Sequence, residues 1–83
     1  MDVQNSANKI IEAVGIDNIE SVSHCATRIR LVPKNAKNID KLEETELIKG
    51  SLFSNNQFQV FVHLSGIEEV YREIENRLKE NGY

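Results

Sequence analysis

Ser21-Val22-Ser23-His24-Cys25-Ala26-Thr27-Arg28-Ile29-Arg30-Leu31-Val32-Pro33 changes its pattern half-way along. From Thr27 onward, Thr27, Ile29 and Leu31 alternate with Arg28, Arg30 and Val32, the two-residue period of a strand whose faces differ. Pro33 lacks a backbone N–H and ends the ladder. Upstream, residues 19–23 read as a short strand with weaker patterning. Residues 24–26 fall between the two strands, which predicts an antiparallel hairpin with Cys25 at its tip. A turn of this kind leaves backbone N–H groups available to an anion.

The rest of the chain supplies what such a hairpin must pack against. Val3, Ala7, Ile10, Ile11 and Val14 recur at helical spacing, after Asp2 as a candidate N-cap and before Gly15 as a stop. Asp40 with Glu43 has the capping-box spacing and predicts a short helix over residues 40–46, with Ile39, Leu42 and Leu47 turned inward. A second hairpin is predicted from residues 51–54 and 57–64, joined by Asn55-Asn56, a pair that tolerates positive φ. Ser65 with Glu68 opens a last helix whose apolar stripe is Ile67, Val70, Tyr71, Ile74 and Leu78. The order is α-β-β-α-β-β-α, and every element has one apolar face. This predicts an α+β fold of two layers, a four-stranded antiparallel sheet with three helices on one face. The opposite face of the sheet stays open and carries Arg28, Arg30, Gln57, Gln59 and Phe61.

Composition narrows the function classes. The chain has 83 residues, one cysteine and a net charge of −3. That length predicts one domain over residues 1–83. A lone cysteine makes no intramolecular disulfide, and nothing here points to an oxidising compartment. No apolar run approaches the ~20 residues needed to span a bilayer, and no secretory pattern opens the sequence. The expectation is a cytoplasmic domain with no direct membrane insertion. Basic density is too low to predict a nucleic-acid partner. His24, Cys25 and His63 are too few and too irregularly spaced for a zinc site, so no metal and no cofactor is expected.

The chemistry concentrates at the turn. Cys25 is followed two residues on by a hydroxyl, Thr27, and then by Arg28 and Arg30. Forked guanidinium donors suit phosphate oxygens, and nearby positive charge lowers a thiol's pKa, raising its thiolate fraction. His24 is a candidate general base or site neighbour, and Gln57 a second neighbour on the open face. Together these residue types make an anion site built around a nucleophile.

The run His24-Cys25-Ala26-Thr27-Arg28-Ile29-Arg30, the element order and the strand Gln57-Phe58-Gln59-Val60 resemble one family. It is the IIB domain of the glucose/glucoside family of bacterial phosphoenolpyruvate-dependent sugar phosphotransferase systems. The resemblance runs from about Val3 to Leu78, with Cys-x-Thr-Arg-x-Arg its specific part. His63-Leu64-Ser65-Gly66 departs from the glycine-rich stretch usual there. The resemblance implies strand order 1-2-4-3. It also implies a phosphocysteine relay, in which the cysteine takes a phosphoryl group from a IIA phosphohistidine and gives it to a sugar held by a membrane IIC domain, at the inner face of the membrane. Carried over, Cys25 is acceptor and donor, Ala26 and Thr27 cradle the phosphate, and Arg28 and Arg30 supply charge, with Arg30 serving mainly in docking. Two other functions fit the residues: a regulatory module docking on a transporter or transcriptional regulator, and a thiol redox sensor, which lacks a resolving cysteine.

Overall fold

The structure, a computed structural model, describes residues 2–35, 39 and 42–82. Helix α1 (Val3–Val14) is followed by a 3-10 turn (Ile16–Asn18), strands β1 (Ile19–His24), β2 (Arg28–Pro33), β3 (Ile48–Ser54) and β4 (Gln57–Val62), and helix α2 (Ile67–Glu80). The strands form one antiparallel sheet in the order β1-β2-β4-β3, the order the resemblance implies. No helix among the described residues is long and apolar enough to cross a membrane.

The inner strands show the expected alternation. Ile29, Leu31 and Pro33 of β2 and Phe58, Val60 and Val62 of β4 are buried, while the residues between them are half-buried. The apolar stripes of α1 (Ala7, Ile10, Ile11, Val14) and α2 (Ile67, Val70, Ile74, Leu78) close over that face in one core. Burying each of the larger of these side chains is worth roughly 1.5–3 kcal/mol. Polar contacts fix the helix pair at its edges. Arg77 reaches Glu73 at 3.1 Å and also donates to Asn8 of α1. Asn18 is buried but satisfied: its amide donates to the carbonyls of Val14 at 3.2 Å and Asn35 at 3.0 Å and accepts from the Asn35 N–H at 2.8 Å. This ties the end of α1 to the exit of β2.

Turn chemistry follows the sequence at two points. Gly15 takes φ 101 after α1, its N–H donating to Ile11 at 2.7 Å. Asn55 and Asn56, at φ 52 and 60, make the tight turn between β3 and β4.

The fold departs from expectation in its helix count. Among the described residues there are two helices, not three. Residues 42–47 of the expected helix over 40–46 and its flank are irregular or bent; Asp40 and Lys41 lie outside the described residues. The physical reason is Thr45. Its hydroxyl accepts from the N–H groups of Leu47 at 3.3 Å and Ile48 at 3.0 Å, and its own N–H donates to the Ile48 carbonyl at 2.9 Å. Such local bonds satisfy the backbone in a turn and compete with a helix. The Leu42 N–H meanwhile donates to the Ser51 hydroxyl at 2.9 Å, holding the segment along β3. That strand begins at Ile48 rather than residue 51, because a register shift between Ile48 and Gly50 breaks the alternation.

Both expected N-caps also differ. Asp2 stands at the N-cap of α1 with no side-chain capping bond, its carboxylate accepting from the Asn5 side chain at 3.0 Å instead. At α2 the N-cap is Gly66, while Ser65 is drawn back to His63: its hydroxyl lies 2.8 Å from His63 Nδ1, which also accepts the Ser65 N–H at 3.1 Å. Gly66 is buried against Leu47, and a Cβ there would sit 2.8 Å from Leu47 Cδ2. Since Leu47 is itself 2% exposed, it has little room to yield. Gly66→Ala is expected to destabilise the fold by about 1–3 kcal/mol, the cost of overpacking. Urea denaturation checks it, the midpoint falling with the slope unchanged.

Candidate functional site

The β1–β2 turn is built by the sheet on either side of it. Cys25 N–H donates to the Arg28 carbonyl at 3.0 Å, and Val62 N–H donates to the Thr27 carbonyl at 3.1 Å. The carbonyls at the end of the turn are thus taken up by the sheet. The N–H groups of the same two residues, Thr27 and Arg28, act on the Cys25 thiol. Thr27's N–H and then Arg28's pull the thiol pKa below its ordinary value; partial burial opposes them, and the Arg30 charge and the Thr27 hydroxyl add to the lowering. Hydrogen bonds to the charged form are the usual cause of such depression. Cys25 is half-buried, whereas Ala26 and Thr27 are exposed, so the turn projects and the sulfur stays reachable.

The two arginines occupy different places. Arg30 pairs across the strands with Ser23 and Gln59, and its charge acts on the thiol. Arg28 is turned along the open face. Its Nη1 donates to Gln59 Oε1 at 2.9 Å and its guanidinium lies over Phe61, 5.0 Å from the ring centroid.

His24 belongs to the helix side. Its ring stacks on Tyr71 of α2 with centroids 4.3 Å apart and planes tilted by 48°. Its Nδ1 lies 3.1 Å from the Cys25 carbonyl, and because a carbonyl only accepts, Nδ1 carries the proton. The ring braces the turn from beneath.

Gln57 is displaced from the expected neighbourhood. The register sets Arg28 opposite Phe61, which leaves Gln57 four residues down β4, opposite Ser54, at the far end of the strand. It touches the arginine only through Gln59, whose Nε2 donates to Gln57 Oε1 at 3.5 Å. Gln59 is the glutamine on Arg28, a distinction that only the exact pairing register reveals.

On the helix side the turn faces a groove of about 470 Å³, lined by His24, Cys25, Ala26, Leu64, Ile67, Glu68 and Glu69. Leu64, 68% exposed, is its apolar rim. These α2 residues are brought to the cysteine by tertiary packing and carry no local signal of it; in the sequence Glu68 reads as a cap and Ile67 as core.

This geometry has known counterparts. Residues 8–40 match the family model of the phosphotransferase system, EIIB. A crystal structure of one domain of the PTS system IIabc component from Clostridium difficile superposes with TM-score 0.69 at 30% identity, covering 89% of this chain and 80% of that one. The sucrose-specific EIIBCA component of Pediococcus pentosaceus is 36% identical over 73 residues, 86% of this chain and 11% of that protein. The trehalose-specific EIIBC component of Bacillus subtilis is 36% identical over 84 residues, 98% of this chain and 17% of that protein. The fold is that of a phosphotransferase-system domain, and the residues that the family model matches include the cysteine turn. The chain belongs to the EIIB family, and it spans 11% and 17% of the length of these two relatives.

The thiol's electrostatics separate the arginines experimentally. Because the native pKa is lowered, alkylation of Cys25 should reach half its maximal rate at a pH below that of a free thiol. Arg30→Ala should move that midpoint upward, towards the ordinary value, and Arg28→Ala should move it less. Iodoacetamide rates against pH in the three proteins measure both shifts.

Proposed function

We propose that Cys25 is the phosphoryl carrier of a sugar phosphotransferase system, standing between a IIA phosphohistidine and a sugar bound by a membrane IIC domain. In the first step the Cys25 thiolate attacks phosphorus in line. The S–P bond forms, the N–P bond of the donor histidine breaks, and its electron pair returns to the imidazole. In the second, a sugar hydroxyl attacks the same phosphorus as its proton passes to a base on the sugar's side. The O–P bond forms, the S–P bond breaks and the thiolate is regenerated.

The observation that carries this reading is a half-buried thiol at a projecting turn, beside exposed Ala26 and Thr27, its pKa lowered first by the N–H groups of Thr27 and Arg28. The N–H groups of Thr27 and Arg28, the Thr27 hydroxyl and the Arg30 charge are the donors a phosphoryl group on Cys25 would meet. Exposed Ala26 leaves the approach open to two partners in turn. The relatives' printed names join EIIB to EIIC, and in Pediococcus to a further A part, which supports partners of those two kinds. Work with IIC would set the domain against the inner face of the membrane.

Cys25→Ser tests the assignment. A serine hydroxyl stays protonated near neutral pH, where the lowered thiol supplies its thiolate. The variant is expected to keep the wild-type circular dichroism and to take up no phosphoryl group from phosphorylated IIA, read by mass spectrometry of the intact protein. Uptake at the wild-type rate would remove Cys25 from the relay.

A further inference from the structure

We infer that Gln59 and Phe61 are positioning residues for Arg28, holding its guanidinium on the open face of the sheet at the strand end that leads out of the cysteine turn. This inference rests on the carrier role proposed for Cys25.

Arg28 opens β2 and pairs with Phe61 of β4, so both side chains stand on the open face. The guanidinium carbon is 5.0 Å from the Phe61 centroid, and Nη1 donates to Gln59 Oε1 at 2.9 Å. Gln59 itself pairs with Arg30, so its bond to Arg28 runs diagonally between neighbouring pairs on the open face. Its Nε2 donates to Gln57, which fixes the amide with its oxygen turned to the arginine.

The chemical type of each partner matters. A carboxylate at position 59 would pair with the fork and cancel its charge. An aliphatic residue would leave a long, rotamer-rich side chain free to wander. An amide oxygen accepts one hydrogen bond and leaves the full charge in place. An aromatic face likewise attracts the cation through its quadrupole without neutralising it. The neighbours that share this face by pairing, Ser23 opposite Arg30 and Leu52 opposite Gln59, add no negative charge. The guanidinium has five N–H donors. Gln59 engages one nitrogen, and the carrier reading assigns the other donors of the fork to phosphoryl oxygens.

A double-mutant cycle tests this. Transfer from phosphorylated IIA to Cys25 is followed by rapid quench and mass spectrometry over a range of IIA concentrations. The proteins are wild type, Gln59→Glu, Gln59→Met and Phe61→Leu, each with Arg28 and with Arg28→Ala. With Arg28 present, either Gln59 substitution is expected to slow transfer at saturating IIA by about ten- to a hundredfold, the upper figure being the cost of a misplacement of about 1 Å. With Arg28→Ala, neither should change the rate by more than about twofold, because nothing is left to position. Phe61→Leu, which leaves Gln59 in place, reads the same coupling should a Gln59 variant not fold. Gln59 and Phe61 effects that are absent, or equal with and without Arg28, overturn the inference. A wild-type protein that takes no phosphoryl group overturns the carrier role and this inference with it, whereas a loss that spares the wild type bears on positioning alone.

Discussion

The register of β2 is the constraint on which both the core and the site depend. This strand is paired on both sides: Leu31 faces Val22 and Phe58, and Arg30 faces Ser23 and Gln59. Side chains alternate with a period of two, so the pairing that buries Ile29 and Leu31 necessarily sets Arg28 and Arg30 on the open face. A slip of one residue would drive both guanidinium groups into the apolar layer, where each unpaired ion costs several kcal/mol. Hydrophobic burial thereby places the cations of the site. The carbonyls of Thr27 and Arg28 are taken up by Val62 N–H and Cys25 N–H, and their own N–H groups lower the thiol's pKa.

What was legible in the sequence was whatever this periodicity wrote there. The alternation after Cys25 located the turn, the open face and the inner residues, and Asn55-Asn56 marked the second hairpin by the positive φ both residues adopt. Capping patterns were less reliable guides. Asp40 with Glu43 and Ser65 with Glu68 have the right spacing, but in each case a nearby hydroxyl or ring is differently engaged. Thr45 serves the backbone of Leu47 and Ile48, and Ser65 turns back to His63. A cap is decided by a single competing hydrogen bond of about 0.5–1.5 kcal/mol, a margin that spacing alone does not resolve. The groove residues Leu64, Glu68 and Glu69 were silent for a different reason: their nearness to Cys25 is a property of how α2 lies on the sheet. Gln57 and Gln59 were indistinguishable in pattern, and only the pairing of Arg28 with Phe61 separates them.

The two sides of the turn differ in charge. Arg28 and Arg30 lie on the open face, whereas Glu68 and Glu69 line the groove between the turn and α2. A phosphoryl group carries about −1.5 to −2 charge near neutral pH. On Cys25 it would be drawn towards the sheet face and repelled from the groove, so its orientation has an electrostatic bias before any partner arrives. His24, stacked on Tyr71 and bonded to the Cys25 carbonyl, keeps the boundary between the two sides in place.

A thiol that both receives and surrenders a phosphoryl group faces two demands. As nucleophile it must be ionised, and as leaving group its thiolate must be stable when the S–P bond breaks. A lowered pKa serves both, with some loss of intrinsic nucleophilicity. Here the stabilisation comes first from backbone N–H groups, which the sheet fixes in place and which need no reorganisation during reaction. Neutral dipoles also bind the phosphorylated sulfur less tightly than a cation in direct contact would. Holding the charged intermediate too firmly would lower its energy without lowering the barrier to its departure. Arg28, engaged by Gln59 and Phe61 instead of the sulfur, leaves the resting thiolate to the turn's own amides and to Arg30. In the proposed relay its fixed charge would bear on phosphoryl oxygens, which is where charge moves during transfer.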